Sequence, residues 1–458
     1  MEPENIRFGG GAASTVLHPL VALAMVLAIV LMMSLPRKHV MTPFLLAIFA
    51  IPLGQVIVVA GVHFTVVRIL IIVGLARLMT SRRSSGGAFS GGLNPVDRAF
   101  LLWATFFLVV FSLQWMETQA LVKSLGNFLD AVGAYVLMRF LIRDKDDIRR
   151  TIKVLAFVTV FSSAFMLNEQ VTHRNIFGLL GGADIGVQER GGAFRSQGAF
   201  DSYLTAGVFG AALLPLLVFL WKEEKSKLVA GLGILGATAM TVTSNSSTSI
   251  VAYAAGIVAL CFWPIRKQMR LFRWGLVGTL MGLHLVMKAP VWALINRLDL
   301  TGSSSSFHRF MLMDNCIRHF TDWCLLGYKA YETWGFDMWD LSNQYVAYAL
   351  RGGLVTLVMF ILIISRSFGR IGKARRLVEG NRSQEWFFWC LGAAMTVHVV
   401  GYFGIGYFDQ MQFAWYALLA IICAATAVPM AELSQASDAE LKGDLHAGMN
   451  WDALEAVK

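Results

Sequence analysis

Apolar residues fall along this chain in long blocks, and short polar connections separate them. A hydrocarbon core is filled by about 20 residues of apolar helix. Blocks near that length cover 16–36, 41–60, 64–81, 98–115, 122–142, 151–170 and 200–221. Six more cover 227–243, 247–264, 272–290, 343–366, 386–405 and 409–429. The pattern predicts an all-α fold: a polytopic helical membrane protein with about thirteen transmembrane helices. The second and third blocks are nearly continuous and could form one broken helix, so twelve to fourteen spans fit. Residues 1–429 then make a single transmembrane domain.

Two connections are long, and the alternation of spans places both on the same side. They are external loop 171–199, rich in Gly, and external loop 291–342, the longest polar stretch. Within the second, Phe307, Phe310, Met311 and Ile317 recur at helical spacing. They predict a short amphipathic helix from Phe307 to Phe320 over the membrane mouth. Residues 430–458 read as a polar acidic tail carrying Glu432, Asp438, Glu440, Asp444, Asp452 and Glu455. No inverted repeat of the kind many transporters show is visible.

Composition sharpens this picture. Hydrophobic residues make up 56% of the 458 and charged residues 15%, whereas a water-facing surface takes about 25% charged residues. Soluble-enzyme, disordered and nucleic-acid-binding classes are excluded. The net charge of +10 is explained by placement. Arg37 and Lys38, Arg77 to Arg98, Arg139 to Lys153, Lys222 to Lys227, Arg266 to Arg273 and Arg366 to Arg382 occupy alternate connections. Together they hold 25 of the 39 Lys and Arg residues. By the positive-inside rule these connections face the cytoplasm, with the N-terminus outside and the C-terminus in the cytoplasm. Attraction to anionic membrane lipids is a secondary effect. The first block is followed by Leu35-Pro36-Arg37-Lys38 rather than a small-residue cleavage site, so it is not expected to be a cleaved signal. None of the five Cys stands in a CxxC pair. Cys316 and Cys324 share the large loop, where a disulfide could form in an oxidising space.

The charges left on the external side mark the candidate chemistry. Arg190 and Arg195 are separated by glycines and followed directly by a helix. Two guanidiniums there could converge on a pyrophosphate, which their planar forks bind bidentately; snorkelling to headgroups is the alternative. In the large loop, His308 is a candidate general base and Arg309 a phosphate ligand. Asp340 could act as a base or cap the helix that follows, and Asn343 reads as a cap. The hydroxyl-rich turn from Thr241 to Ser249 reads first as capping, with a polar pocket as the alternative. Arg68 and Asp130 lie inside apolar blocks, where ionisable groups face a cavity or a partner. No spacing pairs them.

Several of these pieces, taken in order, resemble the O-antigen ligase and polymerase superfamily, which includes exopolysaccharide polymerases. They are Phe194-Arg195-Ser196-Gln197-Gly198, the turn from Thr243 to Ser249, and Phe307-His308-Arg309-Phe310. Leu325-Leu326-Gly327-Tyr328 and the stretch from Asp340-Leu341-Ser342-Asn343-Gln344-Tyr345 to Arg351-Gly352-Gly353-Leu354 complete the set. The similarity covers roughly residues 40–430. It implies a metal-independent glycosyltransferase without cofactor at the outer face of a bacterial inner membrane. The donor would be an undecaprenyl-pyrophosphate-linked oligosaccharide and the acceptor a growing polysaccharide, with other export and assembly proteins as partners. Arg195 would bind the donor pyrophosphate, and Arg309 would be a second phosphate or sugar contact. Ser246-Ser247 carries no following Arg, and Asp340-Leu341-Ser342-Asn343 stands where the ligase has a His. Both departures bring the chain closer to the exopolysaccharide polymerase branch. The alternatives are an O-antigen ligase acting on a lipid A-core acceptor, a secondary transporter or flippase, and a non-catalytic assembly subunit.

Overall fold

The computed structural model describes residues 15–80, 89–181, 187–190, 192–223, 227–297, 305–335 and 337–431. The acidic tail beyond 431 and the run Ser303-Ser304 lie outside the described residues. The chain is mostly helical. It opens with α1 (Pro19–Ser34), α2 (Arg37–Ala50), α3 (Val66–Thr80) and α4 (Pro95–Trp115). One π-helical turn, Leu129–Gly133, joins α5 (Thr118–Phe128) and α6 (Ala134–Leu141) into a continuous helix. Next come α7 (Lys145–Thr172), α8 (Tyr203–Glu223), α9 (Lys227–Thr243), α10 (Ser247–Cys261) and α11 (Met269–Val286). The short α12 (Ser305–Arg318) and α13 (Phe320–Trp323) precede α14 (Gln344–Leu377), α15 (Arg382–Gly401) and α16 (Gln410–Ala425).

Among the described residues, five helices are long and apolar enough to cross a membrane: α4, the joined α5–α6, α7, α8 and α14. A sixth arises if α10 and the run 263–286, bent by 77° at their break, count as one span. α1, α9 and α16 are apolar but shorter. A helix overlaps each of the thirteen apolar blocks, yet most fall short of full span length. The block 41–60 shows why: its helix stops at Ala50, and β1 (Val56–Val59) pairs with β2 (Val62–Thr65) in an antiparallel hairpin. The β-branched run Ile57-Val58-Val59 favours a strand. Ala60 at φ 51° and Gly61 at φ 77° turn it back with two left-handed residues. A second hairpin, β3 (Gln188–Arg190) with β4 (Ala193–Arg195), lies in the first long connection. The helical fold that the apolar blocks predict is present, with two small hairpins set into its connections.

Side-chain bonds sort the connections to two ends. At the basic end, Arg37 pairs with Asp147 at 2.9 Å and Arg149 with Glu223 at 2.7 Å. Arg266 meets Glu385 at 2.9 Å, and Lys267 meets Glu379 at 2.6 Å, which holds the Glu379 carboxyl below its usual range. Asp97 closes a capping box with Asn94 at the start of α4 and also takes Arg139 at 2.8 Å, fully buried. At the opposite, loop end, Gln410 Nε2 donates to the Ala199 carbonyl at 2.9 Å, and Thr248 Oγ1 to that of Gly404 at 3.4 Å. There too, Gln55 Nε2 donates to the Leu180 carbonyl at 3.0 Å.

Large apolar side chains also face outwards. Leu20, Leu23, Leu27 and Val30 of α1 are exposed, and α11 has no buried residue at all. The same inversion appears in α12. The helix forms where its periodicity predicts, but Phe307 and Ile317 are exposed while Ser306, Arg309, Leu312 and Cys316 are buried.

Candidate functional site

The turn after β4 is built by α7. Glu169 Oε2 accepts from the Gln197 and Gly198 amides at 3.1 and 2.9 Å and from Asn175 Nδ2 at 3.3 Å. Gly198, at φ 61°, lets both amides face one carboxylate. The neighbouring Gln170 Nε2 donates to the carbonyls of Phe194 and Thr243, at 2.7 and 2.8 Å. The Ser196 amide also reaches the Thr243 carbonyl, at 3.1 Å. The result is a rigid turn that delivers Arg195. Its guanidinium lies 4.6 Å over the Tyr203 ring, and Nη1 donates to the Tyr203 hydroxyl at 2.6 Å. Arg195 is 8% exposed, its Nε makes no hydrogen bond, and no carboxylate pairs with it among the described residues. Arg190 pairs in register with Ala193 and Arg195 with Gln188; the Arg190 side chain lies outside the described atoms.

The hydroxyl-rich turn does not cap α10: Ser246 makes no side-chain cap bond. Instead Thr241 Oγ1 donates to the Gly207 carbonyl at 3.2 Å, and Ser244 and Ser249 close against Gly207, where a Cβ would meet both hydroxyls. The glycine lets α8 approach this turn. The capping expectation is thus replaced by helix packing.

His308, Arg309 and Asp340 are brought together. His308 Nε2 lies 3.0 Å from the Asp340 carbonyl and 3.8 Å from its carboxylate. A carbonyl only accepts, so Nε2 carries the proton and Nδ1 keeps the lone pair in the neutral ring. Burial raises the Asp340 carboxyl above its ordinary range, while His308 and Arg309 act in the opposite sense. Asn343 caps α14 as expected, accepting from the Tyr345 and Val346 amides at 3.0 and 3.1 Å. Asp340 is left to His308.

The large connection is anchored in a break of α14. Gly353 adopts φ 70° and ψ −178° inside the helix. Tyr328 N donates to the Leu350 carbonyl at 2.8 Å, and Leu354 N to that of Cys324 at 2.9 Å, so the connection satisfies groups that the break frees. Cys316 and Cys324 are both free thiols. Cys316 packs with Leu312, Trp323 and Met338, and burial pushes its thiol up to about 12.

A cavity of about 510 Å³ opens at the loop end, between the β1–β2 hairpin, α3, α5 and α16. Arg68 and Asp130, which no spacing could pair, meet on its wall: Nη2–Oδ2 is 2.6 Å and Nε–Oδ1 is 3.0 Å. The π-turn of Leu129–Gly133 carries Asp130, and Gly126 leaves room for the guanidinium. Gln119, Lys123 and Asn127, at i, i+4 and i+8 of α5, line the same space with Asp409 and Phe413. Sequence reasoning missed this group and Glu169. Glu169 had a signal as the single carboxylate in its apolar block.

Among the described residues no three His, Cys, Asp or Glu stand close enough to hold a metal ion. Neither the family models nor the curated proteins with which the chain was compared match it. The geometry itself offers a shielded cation, a histidine with a free Nδ1 lone pair beside a carboxylate, and a polar cavity.

Proposed function

We propose that this protein is a membrane glycan polymerase. It transfers a saccharide from an undecaprenyl-pyrophosphate-linked donor to a sugar hydroxyl at the external face of the bacterial inner membrane. In this reading the thirteen apolar blocks are spans, some thin or tilted, the basic end is cytoplasmic and the loop end external. The proposal rests on the likeness of the short motifs to the polymerase superfamily and on one observation that carries it, the state of Arg195. At the basic end Arg37, Arg149 and Arg266 have carboxylate partners. Arg195 is as buried as a core residue and lacks one among the described residues. A buried cation is costly unless an anion compensates it, and a donor pyrophosphate supplies that anion.

The chemistry follows from the residues. An acceptor hydroxyl attacks the donor's anomeric carbon, the carbon–oxygen bond to the pyrophosphate breaks, and undecaprenyl pyrophosphate leaves with the electron pair. Arg195 and Arg309 stabilise the charge gathering on the leaving group. His308 Nδ1 takes the hydroxyl proton, and the Asp340 carboxylate steadies the imidazolium. Arg190 is a further pyrophosphate contact.

The test is elongation of lipid-linked oligosaccharide by membranes containing the protein, with chelator present and nucleotide absent. Wild type should lengthen chains, and Arg195→Ala should lose at least about 100-fold in rate, the scale of removing one oxyanion donor. Equal activity of the two, or inertness of wild type on every lipid-linked donor, overturns the reading.

A further inference from the structure

The cavity between the β1–β2 hairpin, α3, α5 and α16 is not used by the chemistry above, and its wall has unusual features. The stripe Gln119, Lys123, Asn127 and Asp130 runs down one face of a helix that otherwise belongs to an apolar span. The side chains of Gln119, Lys123 and Asn127 form no hydrogen bond with another described residue. Their donors and acceptors point into about 510 Å³ of space, within the range of small-ligand sites. On the opposite wall Asp409 is held at φ 50° and ψ −128° and is exposed to the space. A non-glycine residue in that region costs about 1–3 kcal/mol, and such strain clusters at binding sites.

Charge selects the ligand. Arg68 is already neutralised by Asp130, and Lys123 shares the cavity with Asp409, so the two cations are balanced by two carboxylates. A polyanion would meet both carboxylates. A neutral, polyhydroxylated molecule gains from planar amides, a carboxylate and an ammonium, with Phe413 as an apolar wall for a ring face. Gln410 lines the cavity and donates to the Ala199 carbonyl, four residues beyond Arg195. The cavity and the turn that delivers Arg195 therefore share a wall.

We propose that this cavity is a saccharide-binding site, and, resting on the polymerase reading, that it holds sugar residues of the acceptor chain beside the donor. The probe is the set of oligosaccharides released by mild acid from the polysaccharide of the cell that makes this protein. Binding to the purified full-length chain in nanodiscs is read by native mass spectrometry, beside the elongation assay. Wild type should bind these oligosaccharides. Lys123→Met and Asn127→Leu should each weaken binding at least tenfold, while Arg195→Ala binds as wild type. In elongation the two cavity variants should stop at short products but retain lipid-linked donor at the wild-type level.

Absence of binding by wild type, or binding that neither cavity variant changes, overturns the proposal. So does competition by inorganic pyrophosphate, which would make the cavity an anion site. Oligosaccharide binding that depends on the cavity in a protein inert on every donor would leave the site standing and remove the polymerase reading. Unfolding of one variant is detected by its thermal melt, and the other variant then decides.

Discussion

Glu169 governs the 194–199 turn with one oxygen atom. Three donors converge on Oε2, two of them the backbone amides of Gln197 and Gly198. His308 is governed in the same way by a backbone carbonyl, which fixes which ring nitrogen holds the proton. Asp340 adds a pH dependence. Its folded carboxyl holds a proton to higher pH than the unfolded chain does. Stability from this group is therefore full below the unfolded value of about 3.9 and falls as pH rises through the folded value. Melting temperatures recorded upward from about pH 4 should decline less for Asp340→Asn than for wild type. An identical slope would remove Asp340 from the account. The arginines and His308 stood out in the sequence because few charged residues lie outside the basic connections. Glu169 was not singled out, since sequence does not show that the end of α7 returns to meet Gln197.

At the scale of elements, the break in α14 has the clearest physical cause. Gly353 sits in a region essentially reserved for glycine, and a Cβ there would strike the Leu325 carbonyl. Gly353→Ala should cost at least about 1–3 kcal/mol, seen as a lower melting temperature. Gly369→Ala, in open helix of the same element, should be neutral or stabilising by about 0.5–1 kcal/mol. Equal effects would mean that the break is not glycine-dependent. Helix positions were legible from apolar runs, because backbone bonds must close locally wherever water is absent. The π-turn under Asp130 and the hairpin after Gln55 were not, because both depend on what packs across from them. α12 forms where the spacing of Phe307, Phe310, Met311 and Ile317 predicts a helix. The apolar moment marks the core only when water lies outside, and Phe307 and Ile317 show the opposite arrangement.

The whole molecule separates its charges by function. Ion pairs such as Arg37–Asp147, Arg149–Glu223 and Arg266–Glu385 gather at the basic end, while at the loop end the buried Arg195 has no carboxylate partner among the described residues. The proposed orientation is testable with the free thiol of Cys324. With the outer membrane permeabilised, an impermeant maleimide should label Cys324 in otherwise intact cells. In a Cys324→Ser background, Lys373→Cys should react only once the inner membrane is broken. Reversed labelling would invert the topology and place Arg195 away from any external acceptor.

The anchored break also has a consequence for biogenesis. The turn 324–328 precedes α14 in the chain, so it is synthesised before residues 350–354. Amide and carbonyl partners for the break are then already waiting when α14 enters lipid, where unsatisfied backbone groups cost several kcal/mol each. The order of synthesis thus lets a discontinuous helix insert without a stage at which its break is bare.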